Sequence, residues 1–175
     1  MRILLMCEGT NEETLISALL DANAFIFDRN DLIGLKPYAV RDLNYIKSEL
    51  KLYGKPVKIY RIGDTQTDKL SIPKELNGIV NKKDIYKYCT KPELEILLII
   101  NEGLLKNYEK VKSIESPKTF AKKNIKFNGK KYDQSSEFLK NYYSDINKLI
   151  KNLKEYKKYK KKHNNDELYL ADLLK

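Results

Sequence analysis

The chain opens with a short apolar run that an acidic turn follows at once, and this feature limits the fold more than any other. Ile3 to Cys7 is apolar throughout, without alternation, which predicts a strand covered on both faces. Glu8 and Gly9 end the run, and Thr10 with Glu13 matches the capping-box pattern that begins a helix. The order strand, tight turn, helix is the first half of a βαβ unit.

Further apolar runs alternate with helical patterns along the first two thirds of the chain. Val57 to Ile62 and Ile85 to Cys89 predict two more strands, and Phe25 to Phe27 predicts a shorter one. A helix is predicted from about Val40 to Tyr53, and another begins near Thr90. Because strands alternate with helices, we predict an α/β fold: a Rossmann-like central parallel sheet that helices flank.

The last third of the chain is predominantly helical in pattern. Ser116-Pro117 predicts a short helix, Asn128-Gly129 predicts a turn, and Ser135 to about Lys162 predicts one long helix. The tail from Leu168 to Leu174 predicts a further helix that docks on the core.

Positive charge is concentrated in this last third. We divide the chain into an α/β domain over residues 1–110 and a basic helical extension over residues 111–175, packed on the same domain. The net charge is +10, which favours contact with nucleic acid or another anionic surface. Lys157, Lys158 and Lys161 are the candidate phosphate contacts on the long helix, although lysine-rich usage can also reflect an AT-rich genome.

Cysteine and histidine are scarce, and this excludes several kinds of site. The chain has two cysteines and one histidine, too few for a structural zinc site and unfavourable for a Ser-His-Asp triad. It lacks a glycine-rich phosphate loop, which disfavours a small-molecule phosphate enzyme. No apolar stretch is long enough to span a bilayer and no signal peptide pattern is present, so we expect a cytoplasmic protein without membrane contact.

Acidic residues follow several of the predicted strands. Glu8 follows the first strand, Asp64 and Asp68 follow the run that ends at Ile62, and Glu93 and Glu95 come shortly after the next strand. In a parallel sheet these positions lie at one edge, where functional groups gather. Clustered carboxylates repel one another unless a cation compensates them. Mg²⁺ or Mn²⁺ suits such an all-oxygen site.

Each of these residues also has a structural interpretation. Glu93 fits the third position of a capping box, so Glu95 is the better ligand candidate. Glu12 is either a surface acid favoured by the helix dipole or a residue that supports the site, and the sequence leaves this open. Arg41 and Lys91 are candidate phosphate contacts near the same edge, or ordinary surface charges.

The arrangement of the acids resembles the Toprim domain, the metal-binding domain of topoisomerases, bacterial primases, small RNA-maturing nucleases and overcoming-lysogenization-defect nucleases. The first motif of that family is a Glu after the first strand, usually followed by Gly, and Glu8-Gly9 matches it. The second motif is Asp-x-Asp after a later strand. Asp64 matches its first Asp, Gln66 stands where the second is expected, and Asp68 would have to substitute. The resemblance covers about residues 2–105.

The resemblance implies a Mg²⁺-dependent nuclease or related phosphotransfer protein. Glu8, Asp64, Asp68 and Glu95 would be catalytic and hold the metal, with Glu93 as a further ligand candidate. Stand-alone proteins of this kind often belong to bacterial or phage defence systems, so a defence role is implied by analogy. The alternative is a non-catalytic module that binds nucleic acid or a partner subunit, such as an ATPase encoded alongside. The sequence leaves open whether copies of the chain form a homo-oligomer.

Overall fold

A parallel sheet forms the centre of the computed structural model, which describes residues 1–64, 69–161 and 167–175. The strands in chain order are β1 (Arg2–Cys7), β2 (Tyr38–Ala39), β3 (Val57–Gly63), β4 (Val80–Cys89), β5 (Lys126–Phe127), β6 (Lys130–Lys131) and β7 (Leu168–Tyr169). The central sheet has the order β2-β1-β3-β4-β7, and its neighbouring strands are parallel. Strands β5 and β6 form a separate antiparallel hairpin.

Helices flank this sheet, as the sequence predicts. They are α1 (Thr10–Asp21), α2 (Lys47–Tyr53), α3 (Ile96–Asn101), α4 (Leu105–Val111), α5 (Pro117–Asn124), α6 (Ser136–Tyr142) and α7 (Ile146–Lys161). Their apolar faces belong to two hydrophobic clusters, a larger one that includes α1, α3 and α7 and a smaller one that includes α2. The predicted α/β class and its parallel sheet are therefore confirmed.

Strand β1 shows why the opening run has no alternation. Ile3, Leu5 and Cys7 belong to the larger cluster, whereas Leu4 and Met6 belong to the smaller one. Successive strand residues point to opposite faces, and both faces of β1 are covered. A polar residue at any of these positions would be buried without a partner, which explains the continuous apolar sequence.

Two helix starts differ from the prediction. Thr10 is the first residue of α1 rather than its cap, and the backbone amide of Glu13 donates to the carbonyl of Gly9. The helix predicted near Thr90 begins later, at Ile96, and the backbone amide of Thr90 donates to the Gly63 carbonyl instead. The two capping boxes predicted from Thr followed by Glu are therefore wrong, because the N-cap residue is Gly9 in α1 and Glu95 in α3.

The short strand predicted at Phe25 to Phe27 is also wrong. Phe25 makes only an isolated antiparallel bridge to Leu174, and its ring stacks on Phe27 at 5.0 Å between centroids. The strand that pairs with β1 on this side is β2 instead. The apolar residues here fill the core rather than extend the sheet.

The C-terminal third is more interrupted than predicted. The single helix predicted from Ser135 to Lys162 is divided into α6 and α7, and the predicted C-terminal docking helix is instead β7 followed by a short 3-10 turn at Leu170–Leu173. The helix at Ser116-Pro117 is confirmed, since Ser116 Oγ accepts from the Thr119 amide at 3.2 Å. The turn at Asn128-Gly129 is confirmed by the β5–β6 hairpin.

Residues from both predicted segments share the larger hydrophobic cluster. Strand β7 adds an edge to the central sheet beside β4, and the Asn152 side-chain amide of α7 donates to the carbonyl of Leu97 in α3 at 2.8 Å. The division into residues 1–110 and 111–175 stays a prediction. Among the helices of the described residues, none has the length and apolar character needed to cross a membrane.

Candidate functional site at the carboxyl end of the sheet

A cavity of about 250 Å³ lies where β1 and β3 end and where the chain passes from β4 to α3. Its lining includes the carboxylates Glu8, Glu12, Asp64, Glu93 and Glu95. Arg41 and Lys118 supply positive charge to the same lining. The structure thus brings together the acids that sequence spacing placed at this edge, apart from Asp68, which together with Gln66 lies outside the described residues.

Glu8 is held at the end of β1 by contacts with β3. Its backbone amide donates to the Ile62 carbonyl at 2.9 Å, which continues the ladder between the two strands. Its Oε2 accepts from the backbone amide of Asp64 at 2.7 Å. A Cβ on Gly63 would lie 2.3 Å from this oxygen and 2.8 Å from Glu8 Cβ. Glycine at position 63 is therefore what lets the Glu8 side chain lie across β3.

Arg41 contacts Glu8 at the rim of the cavity. Its Nε donates to the Glu8 carbonyl at 3.1 Å, and its Nη2 lies 3.2 Å from Glu8 Oε1. The Arg41 side chain is 69% exposed and that of Glu8 is 14% exposed. The guanidinium therefore neutralises part of the acidic cluster while it still faces solvent, where a phosphate can reach it.

Glu12 lies in the first turn of α1 and was not among the metal candidates from the sequence. Burial raises its pKa first, and repulsion from Glu8, Glu95 and Asp64 raises it further. Its Oε2 lies close to Gly9, because a Cβ there would be 3.1 Å away. The sequence feature that could have identified Glu12 is its position four residues after Glu8, in the first turn of α1.

Glu95 is the most deeply buried acid of the cavity, with 4% exposure. Tyr132, which follows the β5–β6 hairpin, donates its hydroxyl hydrogen to Glu95 Oε1 at 2.8 Å. Burial and the neighbouring Glu95 carboxylate raise the pKa of Tyr132 far above its usual value, so the phenol stays protonated and remains a donor. Sequence reasoning missed Tyr132, because nothing in the pattern near position 132 points to a residue 37 positions earlier.

Glu93 has a structural partner of its own. Its Oε2 accepts from the backbone amide of Lys118 at 2.9 Å, in the first turn of α5. A carboxylate at this place satisfies an amide that has no partner within the helix and interacts favourably with the helix dipole. Glu93 therefore caps α5 from a distant segment, rather than its own helix as the sequence predicted.

The predicted nucleic-acid contacts have different surroundings. In the described part of the chain, Arg41 is the one that lines the cavity. Lys91 Nζ lies 3.0 Å from Glu167 Oε1, and Lys157 is ion-paired with Asp172. Lys158 and Lys161 are exposed on α7. Their role as phosphate contacts stays a prediction.

The donors of this cavity have the chemistry that Mg²⁺ or Mn²⁺ prefers, since they are carboxylate oxygens. Within the described residues, no group of three or more Asp, Glu, His or Cys side chains is arranged to hold a metal ion. One reason is visible at Glu8, whose two side-chain oxygens contact the Asp64 amide and Arg41. A cation at Glu8 would therefore have to compete with Arg41.

Comparisons of this chain with protein-family models, curated proteins and solved structures found no match. The resemblance to the Toprim domain stays a prediction.

Proposed function

We propose that this chain is a metal-dependent phosphodiesterase that cleaves nucleic acid and has a Toprim-like fold. The observation that supports this best is the convergence of Glu8, Asp64 and Glu95, from three neighbouring parts of the sheet edge, on one cavity. Burial is the main cause of the raised pKa of Glu12, and repulsion from Glu8, Glu95 and Asp64 raises this pKa further. Crowded carboxylates at the carboxyl ends of parallel strands are a common setting for a divalent cation.

In this proposal Glu8, Asp64 and Glu95 hold Mg²⁺ or Mn²⁺, and Glu12 adds charge beside them. The ion, when bound, supplies an activated water and stabilises charge on the phosphoryl group. Tyr132 keeps the buried Glu95 carboxylate oriented through its hydroxyl. Arg41, exposed at the rim, contacts a substrate phosphate after it exchanges Glu8 for that anion.

A second candidate is a non-catalytic module that binds nucleic acid or a partner subunit. The contacts of Glu8 favour it, because the Asp64 amide and Arg41 already satisfy this carboxylate without a metal. In either case, the resemblance to nucleases of conflict systems extends the proposal to a role in bacterial or phage defence, beside a partner ATPase.

The test is a cleavage panel of single-stranded and double-stranded DNA and RNA, in Mg²⁺, Mn²⁺ or EDTA. We expect cation-dependent cleavage by the native chain and a loss of at least about a hundredfold in Glu8→Gln and Asp64→Asn. Glu13→Gln is the matched control, since Glu13 lies in the same turn of α1 as Glu12 but does not line the cavity. Cleavage that persists in EDTA or in both site variants contradicts the proposal.

A further inference from the structure

We propose that α5 and the β5–β6 hairpin together form a binding surface for single-stranded nucleic acid, which leads the strand past the acidic cavity. We call this surface the lysine face. It consists of Lys118, Lys122, Lys123, Lys126, Lys130 and Lys131, all exposed. What happens in the cavity rests on the proposed function, but binding to the lysine face does not.

The charge on this surface is largely uncompensated. No acid occurs between Ser116 and Tyr132 in the sequence. Lys123 lies 2.5 Å from Glu115, and Lys130 lies 3.8 Å from Glu137. The other members of the lysine face have no ion pair with any described acid, which leaves their ammonium groups open to phosphates. Clustered cations of this kind give the affinity of most nucleic-acid surfaces.

The lysine face is fixed to the wall of the acidic cavity at both of its ends. At one end, the backbone amide of Lys118 donates to Glu93, and Lys118 itself lines the cavity. At the other end, Tyr132 directly follows β6 and donates to Glu95. A polyanion that follows these lysines therefore passes the carboxylates, which would repel it everywhere except where a cation or Arg41 compensates them.

A second cavity on the hairpin favours a single strand over a duplex. It has a volume of about 250 Å³ and is lined by Phe127, Phe138, Asn128, Asn141, Lys130 and Ser144. Phe127 is only partly buried. Its ring packs against Phe138 and Tyr142, and Lys148 Nζ lies 5.1 Å from the ring centroid, so a base that stacks on Phe127 would displace this ammonium or lie beside it. Aromatic rings and amides beside a basic surface suit an unpaired base, and a duplex presents no free base face.

The basic end of α7 is a weaker candidate for the same role. Lys157 is ion-paired with Asp172 there, and Lys91, near the same edge, is ion-paired with Glu167. Neither lysine lines the acidic cavity described above. What favours the lysine face is its direct contact with the cavity, which Lys118 lines.

Binding is measured by fluorescence anisotropy with single-stranded DNA and RNA 20-mers, the matching duplexes and an abasic strand of the same length, in EDTA to prevent cleavage. We expect the single strands to bind more tightly than the duplexes. The abasic strand should bind several-fold to about a hundredfold more weakly than the normal strand, because base stacking is lost.

Three variants with equal charge loss locate the surface. Lys122→Gln/Lys126→Gln/Lys131→Gln should weaken binding about tenfold or more and lower the salt slope by about two, since each phosphate contact contributes about 0.7. Lys55→Gln/Lys82→Gln/Lys83→Gln changes exposed lysines near the starts of β3 and β4, at the opposite end of the sheet, and should bind like the native chain. Lys154→Gln/Lys158→Gln/Lys161→Gln tests α7.

The proposal is overturned if the α7 variant or the control weakens binding as much as the lysine-face variant. It is also overturned if duplexes bind more tightly than single strands, if abasic strands bind equally well, or if the chain binds acidic proteins but no nucleic acid. Cleavage separates it from the proposed function. Lysine-dependent binding without any cleavage would support the lysine face and contradict the nuclease proposal. Cleavage that is unchanged in the lysine-face variant would support the nuclease proposal and contradict the lysine face.

Discussion

The backbone amide of Asp64 donates a 2.7 Å hydrogen bond to Glu8 Oε2, and so ties together two acidic residues that are 56 positions apart. Parallel pairing of β1 with β3 makes this contact, since Cys7 and Ile62 are partners one residue before Glu8 and two residues before Asp64. The bond also holds the Glu8 carboxylate beside Asp64, at the end of β3. The geometry of the site is thus coupled to the register of the sheet.

Gly63→Ala should disturb this contact and destabilise the chain by about 1–3 kcal/mol, a usual cost of overpacking. The added Cβ would lie 2.3 Å from Glu8 Oε2 and 2.8 Å from Glu8 Cβ. Urea denaturation measures the change in the free energy of unfolding. A double-mutant cycle with Glu8→Gly provides the control, because the clash is absent when Glu8 has no side chain. Simple additivity of the two changes would contradict the explanation.

Glu12→Gln should stabilise the chain at neutral pH in the presence of EDTA. The pKa of Glu12 is raised in the folded state, mainly by burial. Its contribution to stability is therefore fully present below the pKa of the unfolded chain and is lost as pH rises through the folded pKa. The advantage of Glu12→Gln should appear above this window and vanish at acid pH. Thermal unfolding between pH 4 and 8 measures it, with Glu13→Gln as the comparison from the same turn. If Glu12→Gln is less stable than the native chain at pH 8, the ionised Glu12 carboxylate does not destabilise the fold and the explanation is wrong.

Mn²⁺ and Mg²⁺ should raise the melting temperature of the native chain, because an ion that binds only the folded state adds about 2.7 kcal/mol at a hundred times its dissociation constant. Asp64→Asn should lose most of this increase, and EDTA should reverse it. Differential scanning calorimetry with a concentration series of each ion measures the effect independently of activity. Equal stabilisation of the native chain and Asp64→Asn would place the ion elsewhere.

Tyr132→Phe should destabilise the chain by about 1–3 kcal/mol, because the buried Glu95 carboxylate loses a hydrogen-bond donor. Tyr143→Phe is the matched control. The Tyr143 hydroxyl is also buried but has no hydrogen-bond partner among the described residues, so its removal should be neutral or stabilising. Urea denaturation of both variants decides the matter, and equal losses would mean that the Glu95 contact contributes nothing.

The longer strands were predictable from the sequence, and the very short elements were not. Ile3 to Cys7 lies between the two hydrophobic clusters and is apolar throughout. In β3, Val57, Ile59 and Ile62 are buried, and these apolar residues were enough to predict the strand although Lys58 and Arg61 interrupt them. Strand β2 has only Tyr38 and Ala39, and its place depends on pairing with β1. Two residues carry no periodicity, and tertiary contacts alone decide such an element.

The acids of the site were predictable from the sequence, whereas the residues that contact them from the last third of the chain were not. Topology places Glu8, Asp64 and Glu95 at one edge once a parallel sheet is assumed, and the structure puts them around one cavity. Tyr132 and Lys118 reach that cavity from the last third of the chain. Their approach depends on how α5 packs on α3 and how the hairpin packs on α5, which no local pattern near these residues encodes.

The convergence of acids on one cavity has a consequence for how the chain folds. In an extended chain the acids are far apart and solvated, so their mutual repulsion is small. It arises only as the native topology closes around them, after long-range contacts have formed, which are the slow ones in folding. The acidic cavity is therefore a feature of the completed tertiary structure. In partly folded forms of this chain the acids are not yet close together, so the concentrated negative potential of the cavity should be absent.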